Sequence, residues 1–110
     1  MKRPFKFLPV GGQKVKIKDV KNKKIMDQFI QFGGEDDGRS TLGVFFGHEN
    51  SIYIDQDLDA ADWMVTLIHE LCEAINSIFS LELNHLQISV LGEALYQAFG
   101  PTLLKKTGGV

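Results

Sequence analysis

The stretch Thr66-Leu67-Ile68-His69-Glu70-Leu71-Cys72-Glu73-Ala74-Ile75-Asn76 decides how the chain is read. Apolar residues at helical spacing run through and beyond it. Met64, Leu67, Ile68, Leu71, Cys72, Ile75, Ile78 and Phe79 predict one broad apolar face. Asp62, Thr66, His69, Glu73 and Asn76 form the opposite stripe, with Glu70 at its border. Asp59 predicts the start of this helix: Asp62 three residues on gives a carboxylate capping pair, and both acids suit the positive helix end.

His69 and Glu73 are four apart and so stand one above the other on the helix. Two such side chains can grip one ion. A catalytic zinc site takes three protein ligands and keeps one position for water. His69, Glu73 and the later His85 are the candidate ligands, and Glu70 is left to accept a proton as general base. Spacing alone leaves the plain alternative open, a solvated helix face with a locally hydrogen-bonded His85. If the helix runs unbroken to Phe79, Glu73 lies about 9–10 Å below its end, and His85 struggles to reach the ion. The spacing therefore asks for a helix that ends near Asn76-Ser77 or a connection that folds back.

Working outward, Asn84 with Gln87 predicts the start of a second helix, antiparallel to the first. Leu86, Leu91, Leu95 and Phe99 are its expected buried side, with Ile88 and Ala98 nearby, and Gly100-Pro101 is its expected end. Upstream, Leu42–Phe46 and Ser51–Asp55 predict a hairpin, with Ile52 and Ile54 facing the core and Tyr53 and Asp55 facing away. His48 at its tip reads as polar surface, and Gly43 as a bulge or a place of close approach. Phe5 and Phe7, then Val15 and Ile17, alternate with lysines in the period of half-buried strands, with Gly11-Gly12 between them as a turn or a flexible break. Ile25–Phe32 reads as a short helix or irregular packing, Gly33–Gly38 as a loop, and Thr107–Val110 as a frayed tail.

These elements predict an α+β fold, a small antiparallel sheet packed on two C-terminal helices, in a single domain over residues 1–110. The one cysteine, Cys72, excludes an internal disulfide, falls on the apolar face and points to a reducing, cytoplasmic setting. No stretch approaches the roughly 20 apolar residues of a membrane span. The net charge of -2 hides a polarity. Residues 1–24 form a basic segment with nine Lys and Arg against one Asp, while residues 25–104 carry one Arg against thirteen Asp and Glu. The net charge argues against general nucleic-acid binding, and a lysine-edged strand ordinarily serves as a solvated edge. A nucleic-acid accessory would need Lys14, Lys16, Lys18, Lys21, Lys23 and Lys24 in one patch, with affinity falling steeply in salt.

The order of hairpin, acidic loop, Thr66–Asn76 and then His85-Leu86-Gln87-Ile88-Ser89-Val90-Leu91-Gly92-Glu93-Ala94-Leu95-Tyr96-Gln97 resembles small phage- and prophage-encoded zincin-like proteins related to the ImmA/IrrE-type peptidases. The resemblance covers roughly residues 38 to 99 and puts the zincin-like core at 39–99. It implies that His69 is a zinc ligand, Glu70 the general base, Glu73 the occupant of the second histidine's place in H-E-x-x-H, and His85 the third ligand. It also implies a hairpin beside the helix whose edge strand receives an extended peptide. The departure at Glu73 leaves a different metal, weaker activity or a degenerate site as readings. The expectation is a zinc-dependent metallopeptidase acting on a peptide or protein in a host-cell cytoplasm, with Tyr53 or Tyr96 as transition-state donor. The alternative is a non-enzymatic phage accessory, assembly or regulatory protein with a structural or degenerate metal site and a phage or host protein as partner.

Overall fold

The computed structural model describes residues 6–22, 25, 27 and 42–106. Strands β1 (Phe7–Val10) and β2 (Gln13–Val20) are followed by β3 (Gly43–Phe46), a 3-10 turn (Gly47–Glu49), β4 (Ser51–Asp55), helix α1 (Ala60–Phe79) and helix α2 (His85–Lys106). The expected Gly33–Gly38 loop, most of Ile25–Phe32, Phe5 and the tail from Thr107 lie outside the described residues.

The four strands form one sheet in the order β1-β2-β4-β3, with the helices on one face. Gly11 and Gly12 close the first hairpin at positive φ (56° and 78°), the conformation a two-residue primed turn demands. The α+β class is as the sequence implies, but the sheet is mixed, because β2 and β4 pair in parallel. Adjacent parallel strands need a long crossover, and residues 21–50 separate these two.

Alternation places Val15, Ile17, Ile52 and Ile54 against Trp63, Met64, Leu67 and Ile68 of α1. Trp63 was not among the expected core residues. It is buried, and its indole N–H donates to Asp19 Oδ1 at 2.7 Å, which ties α1 to β2. Asp59 caps α1 as expected: its Oδ1 accepts from the Asp62 N–H at 2.8 Å. Tyr53 departs from the sequence reading. It does point to the other face, but that face is covered there, and Tyr53 is buried with Phe46 and Ile25 in a second apolar cluster.

Helix α2 departs twice. Leu86 is 71% exposed while Ile88 is buried. Residues two positions apart in a helix point about 200° apart, so the pair cannot share a face. The helix also runs through Gly100-Pro101 to Lys106. Proline removes a backbone bond and crowds the preceding turn, but Leu103 and Leu104 beyond it pack on the main core and hold the last turn. Leu91 and Phe99 are exposed, so the buried side rests on Ile88 and Gly92, with Leu95 partly buried.

Gly43 marks a close approach. A Cβ there would lie 2.5 Å from Thr66 Cγ2 and 3.4 Å from Glu70 Cγ. The missing side chain is what lets α1 lie against β3. Gly43→Ala is expected to lower stability by about 1–3 kcal/mol. Thr66→Ser, which removes the opposing methyl, should recover part of that loss, the Tyr53 carbonyl oxygen at 3.2 Å remaining. Chemical denaturation of the two single variants and the double variant checks the coupling.

Candidate metal centre

Helix α1 presents His69 and Glu73 one turn apart, both half-buried, and α2 begins with the exposed His85. One ligand atom from each of these three residues lies within 4.8 Å of the others. The His69 and His85 rings are 5.9 Å apart between centroids. Zinc bonds of about 2.0–2.2 Å in a tetrahedral site put donor atoms about 3.4 Å apart. The side chains therefore need to close by no more than about 1.4 Å, within the reach of rotamer adjustment. Two imidazoles and one carboxylate are an established donor set for zinc, so the three residues fit such an ion.

The helix does run on to Phe79, so of the two routes open to the cluster only a connection that folds back is left. The cluster forms because the chain folds back. Ser80 adopts the left-handed conformation (φ 53°), and its N–H and that of Leu81 return to α1 carbonyls, Leu81 to Asn76 O at 3.0 Å. Glu82 is left-handed as well (φ 62°). The Asn76 side chain then holds the returning strand: the Leu83 N–H donates to Asn76 Oδ1 at 2.8 Å, and Asn76 Nδ2 donates to Leu83 O at 3.4 Å. Residue 83 is thus brought back to the level of residue 76. Asn84 and Gln87 exchange reciprocal hydrogen bonds of 2.8 and 2.9 Å, which start α2 with His85 in its first turn.

Gly92 brings the helices together. A Cβ on it would sit 3.3 Å from His69 Cα and 3.7 Å from Nδ1. The sequence places Asn76 on the polar stripe and near a possible helix end, but not as the clamp on Leu83. A glycine inside a helical pattern is itself a signal of close packing, but no local signal announces the bond from Asn76 to Leu83.

Glu70 is not on the border of a solvated stripe. It is buried beside Gly43, with the Phe45 backbone N–H bonded to its carboxylate. Burial, followed by the charge of Glu73, pushes its pKa up to about 8, against the smaller opposing pull of the Phe45 bond. A cleft of about 230 Å³ lined by Leu42, Gly43, Val65, Thr66, His69 and Glu70 separates α1 from the edge strand β3. A second cleft of about 420 Å³ lies between the helices, where Val65 and His69 meet Ser89, Gly92, Glu93, Tyr96 and Gln97.

The two tyrosines considered as donors separate cleanly. Tyr96 lines the second cleft beside His69. Tyr53 lies on the far face of the sheet, hydrogen-bonded to Glu49, and burial pushes its pKa up to about 12; it cannot reach the cluster. His48 sits exposed in the 3-10 turn, its ring edge-on to Phe46 at 5.6 Å. Cys72 is buried, and burial with Glu73 and Glu70 nearby pushes its thiol pKa up, which keeps it protonated.

Compared with known proteins, the chain matches no family model, no curated protein and no solved structure.

A raised carboxyl pKa means that the metal-free protein loses stability as pH climbs from the ordinary carboxylate range toward 8. Glu70→Gln removes that loss and keeps an acceptor for Phe45. The variant is expected to be about 1–3 kcal/mol more stable than the metal-free parent at pH 7, and the two should converge near pH 4. Thermal melts at both pH values check the sign.

Proposed function

We propose that the chain is a minimal zincin-like domain in which His69, Glu73 and His85 hold zinc and Glu70 serves as general base in peptide-bond hydrolysis. The convergence of three donor side chains from two helices, within 4.8 Å of one another, carries this reading. A fold-back connection and a glycine contact bring them together, rather than chance exposure on one helix. Zinc, when bound, supplies Lewis acidity and lowers the pKa of a bound water.

The chain's own groups supply the remaining chemistry. Glu70 lines the strand-side cleft next to His69, where it accepts the proton of an attacking water and returns it to the leaving amine. Its raised pKa matches a group that must both take and release a proton near neutrality. Strand β3 is an edge of the sheet, so an extended peptide can align along it and cross the cleft. Tyr96, on the opposite side of His69, is the hydroxyl placed to donate to the carbonyl oxygen. This reading fits a phage- or prophage-encoded relative of the ImmA/IrrE-type peptidases working in a host cytoplasm. Among the described residues no helix is long and apolar enough to cross a membrane.

One observation favours a second reading. The Glu70 carboxyl is buried and already bonded to Phe45, and Glu73 adds negative charge that makes the ion a weaker acid. A non-enzymatic accessory, assembly or regulatory protein with a structural or degenerate site has those features.

Metal analysis of protein purified without chelator separates the readings. Near-stoichiometric zinc is expected in the parent, with at least a tenfold loss of affinity in Glu73→Ala and in His85→Ala. Glu70→Gln should keep the metal and lose hydrolysis of a peptide library. No metal in the parent, even after zinc is supplied, overturns the site; metal without hydrolysis in the parent selects the second reading. Asn76→Ala should weaken zinc binding about tenfold while all three ligands remain in place, as isothermal titration would show.

A further inference from the structure

The sheet face away from the helices is divided. Over β3 and β4, Phe46 and Tyr53 are buried with Ile25. Over β1 and β2 it presents Phe7, Lys14 and Lys16, all exposed, followed by the half-buried Lys18. Alternation along β2 sends the three lysines to this face, because Val15 and Ile17 between them are in the core. Lysines two residues apart on one strand form a row with about 6.6 Å between neighbours. The register places Phe7 directly across from Lys16, and its ring is 48% exposed. Lys14 Nζ stands 4.1 Å from the centroid of that ring, so ring and cation form one unit. At the other end of the row Lys18 lies 5.1 Å from the Tyr53 ring centroid and 3.8 Å from Glu49, which offsets part of its charge.

We propose that the outer face of β1 and β2, formed by Phe7, Lys14, Lys16 and Lys18, binds single-stranded nucleic acid. Lysines spaced along one strand can follow a phosphate backbone, and an exposed aromatic ring beside them stacks a base. The ring selects the single strand, since bases in a duplex are already stacked on their neighbours. An acidic peptide would satisfy the lysines but leave the ring without a matching group. Residues 42–104, which carry both clefts and most of the helical layer, hold nine Asp and Glu and no Lys or Arg, which disfavours a polyanion there. The average charge of -2 conceals this arrangement. The face lies across the sheet from the metal centre, so this inference stands or falls independently of the hydrolytic reading.

The test is fluorescence anisotropy of the full chain with labelled oligo-dT and oligo-rU of about 16 nucleotides, beside a duplex of equal length and anionic lipid vesicles. Single strands should bind at least tenfold tighter than the duplex, and the better of the two names the natural strand. Affinity should fall with salt at a logarithmic slope of about -2, from three lysines at about 0.7 each. Lys14→Gln with Lys16→Gln should reduce that slope by about 1.4. Phe7→Ala should weaken binding about tenfold with the slope unchanged, and Phe7→Tyr should restore it, which separates stacking from a loss of folding. Absence of single-strand binding at low salt, equal affinity for duplex or vesicles, or a Phe7→Ala variant that binds as the parent does would each overturn the proposal.

Discussion

The amide of Asn76 is the constraint on which the candidate centre depends. Helix α1 continues nearly three turns beyond His69, so its own length carries the chain away from the cluster. The return is made by two left-handed residues, Ser80 and Glu82, neither of them glycine. Such residues carry a conformational cost that surrounding structure must offset. The bonds from Asn76 to Leu83, with the carbonyl bonds that close the end of α1, supply that offset. The same bonds fix the level at which α2 starts, and so the place of His85 relative to His69 and Glu73. A connection optimised for stability alone would put glycine at those two positions. The chain instead relies on a tertiary clamp.

A second constraint acts between α1 and the sheet. Gly43 lets the helix settle on β3, and this contact buries Glu70. Burial raises the carboxyl pKa and costs the fold stability near neutrality, with Glu73 adding to the effect. Natural folds tolerate such conflicts mainly at functional positions. The cost would be relieved by a cation in the adjacent cluster, because a positive ion beside Glu73 and near Glu70 reverses the local electrostatics. Stability and ligand binding are thereby coupled through the same two carboxylates.

The distribution of charge gives the molecule two unlike sides. The acidic half carries the helices and both clefts; the basic half carries the open face of β1 and β2. Strand alternation gathers Lys14, Lys16 and Lys18, which are separated in sequence by Val15 and Ile17, into a row on one face. What distinguishes that row from an ordinary solvated edge is Phe7, which the hairpin register places among the lysines.

The sequence by itself determined the elements and most of their partners. Local rules were enough for the capping pair at Asp59 and Asp62, the second pair at Asn84 and Gln87, the Gly11-Gly12 turn and the alternation of Val15, Ile17, Ile52 and Ile54. Those rules act over four residues or fewer, and they are written in residue type and spacing. They also placed His69 and Glu73 on one helical face. Only the tertiary structure decided that β2 and β4 pair in parallel, that α2 passes through Pro101, that Tyr53 is buried away from the cluster, and that His85 returns to it. Each of these depends on contacts between residues distant in sequence, or on a clamp whose partner is a backbone group, such as Leu83 N–H on Asn76. Backbone groups are the same in every residue, so no pattern of side-chain letters records which of them a side chain will hold.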